Sequence, residues 1–265
     1  MINFTQGVKI ILLINLSMFA LAWILQNFFA IDLSHILGMF YFKSSNYHHY
    51  QIITHMFMHG SILHLLFNMY SLYLFGSMVE QVWGTKRFVF YYIFTGIGAA
   101  ALHAGVNWWQ MHTLIDDAQL FINNPTSDTL ALFSENHTAL FNKQALSDFL
   151  AEWSEHPEIT QYSDLAIEQV QDMIDHAINN TCMLGASGAV FGLLLAFGMM
   201  YPDIKLYIMF LPIGIKAKYL VLIYGLSELA FGIFATNDGI AHFAHLGGLL
   251  FGFIIIKIWQ KQNEF

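Results

Sequence analysis

The sequence predicts an all-α polytopic membrane protein: a six-transmembrane-helix bundle with a small helical extramembrane insertion between helices 3 and 4. Three observations carry that expectation. Apolar residues make up 57% of the 265 before glycine is counted and about 64% with it, against about 45–50% in ordinary globular domains. Charged residues make up only 11%, where about a quarter is usual, too few to cover a soluble surface of this size. Six stretches, near residues 8–28, 54–79, 87–106, 185–201, 216–236 and 240–258, are apolar on the scale of the roughly 20 helical residues needed to cross a hydrocarbon core of about 30 Å. These features exclude a cytosolic enzyme, a disordered chain and a nucleic-acid binder. The single cysteine, Cys182, excludes an intrachain disulfide framework and a cysteine-rich metal site.

The net charge of −8 divides unevenly. Residues 107–181 hold twelve acidic residues against one basic, Lys143, for a charge of −11, and the rest of the chain holds nine basic against six acidic, for +3. An apolar body thus carries an acidic polar insertion. The expected organisation is 1–106 for helices 1–3, 107–181 for the insertion and 182–265 for helices 4–6.

The first span has a basic residue and a long apolar run but no small-residue cleavage site, so it is read as a retained anchor. Residues 31–50 are too short and too polar to span; Asp32, His35, Lys43, His48 and His49 among aromatics suit a segment lying at the interface. The second span carries His55, His59, His64 and Asn68, which a lipid-facing helix would not tolerate. The fourth span is the shortest, so it is expected to begin below the membrane surface. In the insertion, Asn-Asn-Pro-Thr-Ser-Asp near residue 125 reads as a turn. Leu146, Leu150 and Trp153, then Leu165, Val170, Ile174 and Ile178, recur at helical spacing. Lys9, Lys86, Arg87, Lys205, Lys216, Lys218, Lys257 and Lys261 fall on one side of a six-span arrangement, and Lys43 and Lys143 on the other. By the positive-inside rule both termini are then cytoplasmic.

Three groups of residues bear chemistry. Gly185-Ala186-Ser187-Gly188 leaves a hydroxyl accessible among small residues at a helix start, where unpaired backbone N–H groups face developing negative charge. The same glycines, Gly188 and Gly192, equally suit a packing interface. His245, Gly248 and Gly252 in the sixth span share one helix face. That face can press against the small residues around Ser187, as a serine–histidine hydrogen bond needs. A packing histidine is the rival reading. His242 is rotated away by about 60° on the wheel. In the second span His64 and Asn68 stand at i and i+4, so their N–H groups can aim at one oxygen. His55 and His59 have the same spacing and raise a metal site, but Met56 follows His55 where a zinc protease helix needs glutamate. Glu228 is a lone mid-span carboxylate, either buried or lining a path. Trp83, Trp108 and Trp109 fit an interfacial belt.

Taken together these residues resemble the rhomboid family of intramembrane serine proteases. The motifs are Gly185-Ala186-Ser187-Gly188, the run from Ala244 to Gly252, His64-Leu65-Leu66-Phe67-Asn68, and Glu80-Gln81-Val82-Trp83-Gly84 followed by Lys86-Arg87. The resemblance spans roughly residues 8–106 and 182–260 and leaves out the insertion. It implies Ser187 as nucleophile and His245 as its general base and acid, a pair without a carboxylate. His64, Asn68 and the Ser187 N–H would form an oxyanion hole, and Phe191 would pack on the catalytic histidine. It implies substrates that are transmembrane helices, a lipid surround in a bacterial inner membrane, no cofactor, no metal and no nucleic-acid partner. Tyr50-Gln51 stands where the family often has Trp-Arg, which bears on how the first loop is anchored. The insertion, directly before the serine, is read either as a substrate-selecting cap or as a passenger on a surface loop. An inactive relative that binds transmembrane helices and a small polytopic transporter are the competing functions.

Overall fold

The computed structural model describes residues 4–207, 214–234 and 240–262. Its helices are α1 (Gln6–Phe29), α2 (Leu33–Leu37), α3 (Gln51–Thr54), α4 (Ile62–Ser71), α5 (Ser77–Asn123), α6 (Ser127–Asn136), α7 (Lys143–Glu155), α8 (Thr160–Asn179), α9 (Ser187–Met200), α10 (Ala217–Phe234) and α11 (His242–Lys261). The chain divides into two compact units. One comprises the residues up to Met39, Asn46–Gly105 and those from Cys182 on; the other comprises Phe40–Ser45 and Val106–Thr181.

Among the described residues, four helical runs are long and apolar enough to cross a membrane: Gln6–Phe29, Ile62–Asn123, Ala217–Phe234 and His242–Lys261. Helices α1 and α10 leave large apolar side chains such as Leu13, Trp23, Phe28, Leu222, Leu226 and Phe234 exposed. So broad an apolar surface is incompatible with water and suits lipid. The Ile62–Asn123 run joins α4 to α5 through a π-helical turn, Leu72–Gly76. It breaks at Gly84, whose φ of 77° is open to glycine. Helix α9 has 14 residues, hence a length of about 21 Å, short of a full crossing.

Glu80 ties α1 to α5. Its carboxylate accepts from the N–H groups of Gly7 and Val8 at 2.7 and 2.9 Å and from the hydroxyls of Thr5 and Thr85. An anion on the unpaired first-turn donors of α1 is favourable for both charge and hydrogen bonding. The first loop is held by Gln51, which is fully buried. Its Nε2 donates to the carbonyls of Ile36 and Asn46 at 3.1 and 2.9 Å, and its Oε1 accepts from the His48 N–H at 3.1 Å. One neutral amide thus performs the anchoring that the Tyr50-Gln51 departure called into question.

The second span starts later than the hydrophobicity suggests. Residues His55–Phe57 form a 3₁₀ turn, Met58 is extended, and α4 begins only after Ser61, whose hydroxyl accepts from the His64 N–H at 3.1 Å. Gly60 and a serine cap stop and restart the helix. His55 and His59 therefore do not share a helix face with each other, whereas His64 and Asn68 do share one in α4. The expectation of an all-helical chain also misses a short antiparallel ladder, Lys205–Tyr207 with Gly214–Lys216. Beside it Asp203 binds the ammonium groups of Lys216 and Lys218 at 3.0 and 2.9 Å.

The second unit has its own core, in which Leu114, Phe121, Leu130, Phe133, Trp153 and Val170 are buried together. Thr126 caps α6 reciprocally with Thr129, ending the turn read around residue 125. The α7 and α8 periodicities locate real helices. On α8, however, Leu165 is exposed and Ala166 is buried in its stead.

Candidate active site

Ser187 is the first residue of α9, so its N–H and those of Gly188 and Ala189 have no partner within the helix. The strand of chain before it is fixed by Gly185, which adopts φ 116° and donates its N–H to the His55 carbonyl at 2.9 Å. Only glycine takes that backbone shape without strain.

Helix α11 lies against α9 at backbone distance. A Cβ on Gly252 would meet the Gly192 Cα at 3.4 Å, and one on Gly188 would meet the Ala244 carbonyl oxygen at 3.3 Å. The Tyr91 hydroxyl donates to the Gly192 carbonyl at 2.8 Å. Because these positions carry no side chain, the two helices bring Ser187 Oγ and His245 Nε2 to 2.8 Å. Phe191, one turn after Ser187, stacks on the His245 ring with centroids 4.3 Å apart and planes 7° from parallel. The imidazole is thereby held in one plane while its Nε2 faces the hydroxyl.

His64 and Asn68 border the same loop. A Cβ on Gly185 would fall 2.6 Å from His64 Nε2 and 3.8 Å from Asn68 Nδ2. Asn68 Nδ2 is buried and has no hydrogen-bond partner among the described residues. A buried amide donor left unpaired costs about 1–3 kcal/mol. His59 packs edge-on to His64 with ring centroids 5.0 Å apart. A small cavity reaches Ser187 and is lined also by His55, Met56, Gly96 and Gly185.

The fifth span supplies what the sequence reading passed over. Glu228 Oε2 lies 2.6 Å from His242 Nδ1 and 2.9 Å from His245 Nδ1. A carboxylate thus stands 2.9 Å from the far nitrogen of His245, beside the pair that the resemblance implied. His242, expected to face away, is buried and bound to it. The available signal was the isolated mid-span charge, since intramembrane carboxylates are rarely idle. These three side chains also form a group with metal-ligand chemistry, whereas His55 is bound through Nδ1 to the Gln51 carbonyl at 2.8 Å.

The chain matches the rhomboid domain over residues 46–110 and 164–262, well over half its length, and it belongs to the rhomboid family. It is accordingly a multi-pass membrane protein of a family of intramembrane serine proteases. Within it, 55 residues are 36% identical to "RHOMBOID-like protein 6, mitochondrial" of Arabidopsis thaliana, covering 21% of this chain and 18% of that protein. The chain thus spans under a fifth of the length of that curated relative. No solved structure matches it.

Proposed function

We propose that the protein is an intramembrane serine endopeptidase that cleaves transmembrane-helix substrates near the outer membrane face through an acyl-enzyme. The observation that carries this reading is the 2.8 Å contact between Ser187 Oγ and His245 Nε2. A serine beside an imidazole, at a helix start rich in unpaired N–H groups, is the minimum that acyl transfer requires.

In this mechanism His245 Nε2 takes the Ser187 proton as Oγ bonds to the scissile carbonyl carbon. The carbonyl oxygen becomes an oxyanion, received by the Ser187 N–H with His64 and Asn68. The C–N bond then breaks and the leaving amine takes the proton from Nε2. Water, deprotonated by the same nitrogen, bonds to the acyl carbon; the ester bond to Ser187 Oγ breaks, and Oγ takes the proton back from Nε2. No cofactor or metal enters these steps. The partners are transmembrane protein substrates and the surrounding lipid.

The arrangement in the bilayer is part of the proposal. The Ile62–Asn123 run counts as two spans divided at Gly84, and α9 as a short one, giving six. Lysine and arginine bias favours cytoplasmic termini with the insertion outside, and the family resemblance suggests a bacterial inner membrane. The test is incubation of the purified protein with a model transmembrane substrate, wild type beside Ser187→Ala and His245→Ala. Cleavage by wild type alone, with fluorophosphonate labelling of Ser187, is the expected result. Equal turnover by Ser187→Ala rejects the mechanism.

A further inference from the structure

His242 is buried and Glu228 part-buried, and the mechanism above uses neither of these ionisable side chains. They come from two different helices, α10 and α11, and meet at the face of His245 opposite Ser187. Both ring contacts converge on one carboxylate oxygen. In the tautomer that lets the Ser187 hydroxyl donate to His245 Nε2, the ring proton of His245 lies on Nδ1, facing Glu228. His242 also approaches through Nδ1, which against a carboxylate must carry its proton. The carboxylate thus has one hydrogen bond, from His242, and the His245 Nδ1 stands 2.9 Å from the same oxygen, close enough to become a second when the ring aligns. The separations of 2.6 and 2.9 Å are those of direct contact; ligands around a tetrahedral zinc stand roughly 3.3 Å apart.

We propose that Glu228, held by His242, is the positioning residue of the Ser187–His245 pair, making this chain a serine–histidine–glutamate protease. The proposal rests on the reading of Ser187 and His245 as nucleophile and base. Glu228 neither takes nor gives a proton. Its charge keeps the His245 proton on Nδ1, leaving Nε2 free to accept from Ser187, and it stabilises the imidazolium that forms when Nε2 is protonated. His245 Nδ1 makes no aligned hydrogen bond with the carboxylate at rest. Contacts of this kind often align only in the reacting complex. Phe191 fixes the plane of the ring from one side. Glu228 selects its tautomer and charge state from the other.

The experiment compares wild type, Glu228→Gln, Glu228→Asp and Ser187→Ala as full-length purified protein. The readouts are kcat and KM per titrated active site, the rate of fluorophosphonate labelling, and Tm. Wild-type cleavage with none by Ser187→Ala establishes the parent reading separately; wild-type inactivity sinks that reading and this one with it. Glu228→Gln is isosteric and uncharged. It is expected to lose at least about 10-fold in kcat and in labelling rate with KM unchanged, on the scale of about 10- to 100-fold for partners that orient a ligand histidine. Glu228→Asp keeps the charge and should fall between wild type and Gln. A merely structural carboxylate would lower Tm and the number of titratable sites but leave kcat per site intact, and that result overturns the proposal. If Glu228→Gln does not fold, Glu228→Asp decides alone: reduced kcat at constant KM supports the proposal and unchanged kcat defeats it.

Discussion

A Cβ placed on Gly248 would fall 1.9 Å from the carbonyl oxygen of Gly188. This one approach sets the separation of α9 and α11, and with it the reach from Ser187 to His245. Gly248→Ala has no flexible side chain to push aside, only backbone, so the helices must part. A stability loss of about 1–3 kcal/mol is expected, in the range of overpacked cores. A shift near 1 Å at the reacting atoms costs about 100-fold in rate. Tm and the fluorophosphonate labelling rate together check this; a variant as reactive as wild type would show that the helices do not set the distance.

Asn68→Ala should separate activity from stability. The side chain buries a donor with no partner, so its removal relieves a cost instead of breaking a bond. The protein is expected to melt at or above the wild-type temperature. Its turnover should fall about 100- to 1000-fold, the loss seen when one oxyanion donor is removed. That residual rate should still exceed the rates of Ser187→Ala and His245→Ala.

Gln51→Ala acts in the opposite sense. It strands the carbonyls of Ile36 and Asn46 and the His48 N–H inside the first loop. The expected cost is roughly 2–4 kcal/mol, since each abandoned buried group carries its own desolvation penalty. Thermal unfolding measures it, and proteolysis within residues 38–50 should accelerate. An unaltered Tm would mean that the loop is anchored elsewhere.

Cys182 should be a sluggish thiol. Burial, and secondarily the charge of Asp32, push its pKa above the ordinary thiol value. Because the thiolate is the reacting form, a raised pKa means a smaller thiolate fraction at pH 7 and slower alkylation than by a free cysteine. Iodoacetamide labelling should keep rising with pH beyond the range in which an exposed thiol levels off. Asp32→Asn should speed labelling at neutral pH; a Cys182 that alkylates as fast as free cysteine would contradict this.

Local pattern carried far in this chain. The glycines around Ser187 and the Gly248–Gly252 face specified a close helix pair, because the absence of a side chain is a property of the residue itself. The i and i+4 spacing of His64 and Asn68 survived folding because both lie inside α4. Charge partition separated the acidic insertion, and α7 and α8 followed from apolar periodicity. Local pattern failed where a cap competed with hydrophobicity. Gly60 and Ser61 stopped a run that looked continuous, which removed His55 and His59 from one face.

What the sequence determined by itself was a membrane-embedded helical body, its acidic insertion and the residue types able to perform acyl transfer. Each follows from composition, periodicity or a short motif. Only the tertiary structure decided that Glu228 meets His245, that His242 turns inward to hold it, and that Gln51 pins the first loop. Glu228 and His245 are separated along the chain and lie on different helices, so no spacing rule relates them. Their contact exists because the packing of α10 on α11 brings the carboxylate against the rings of His242 and His245 in a low-dielectric interior.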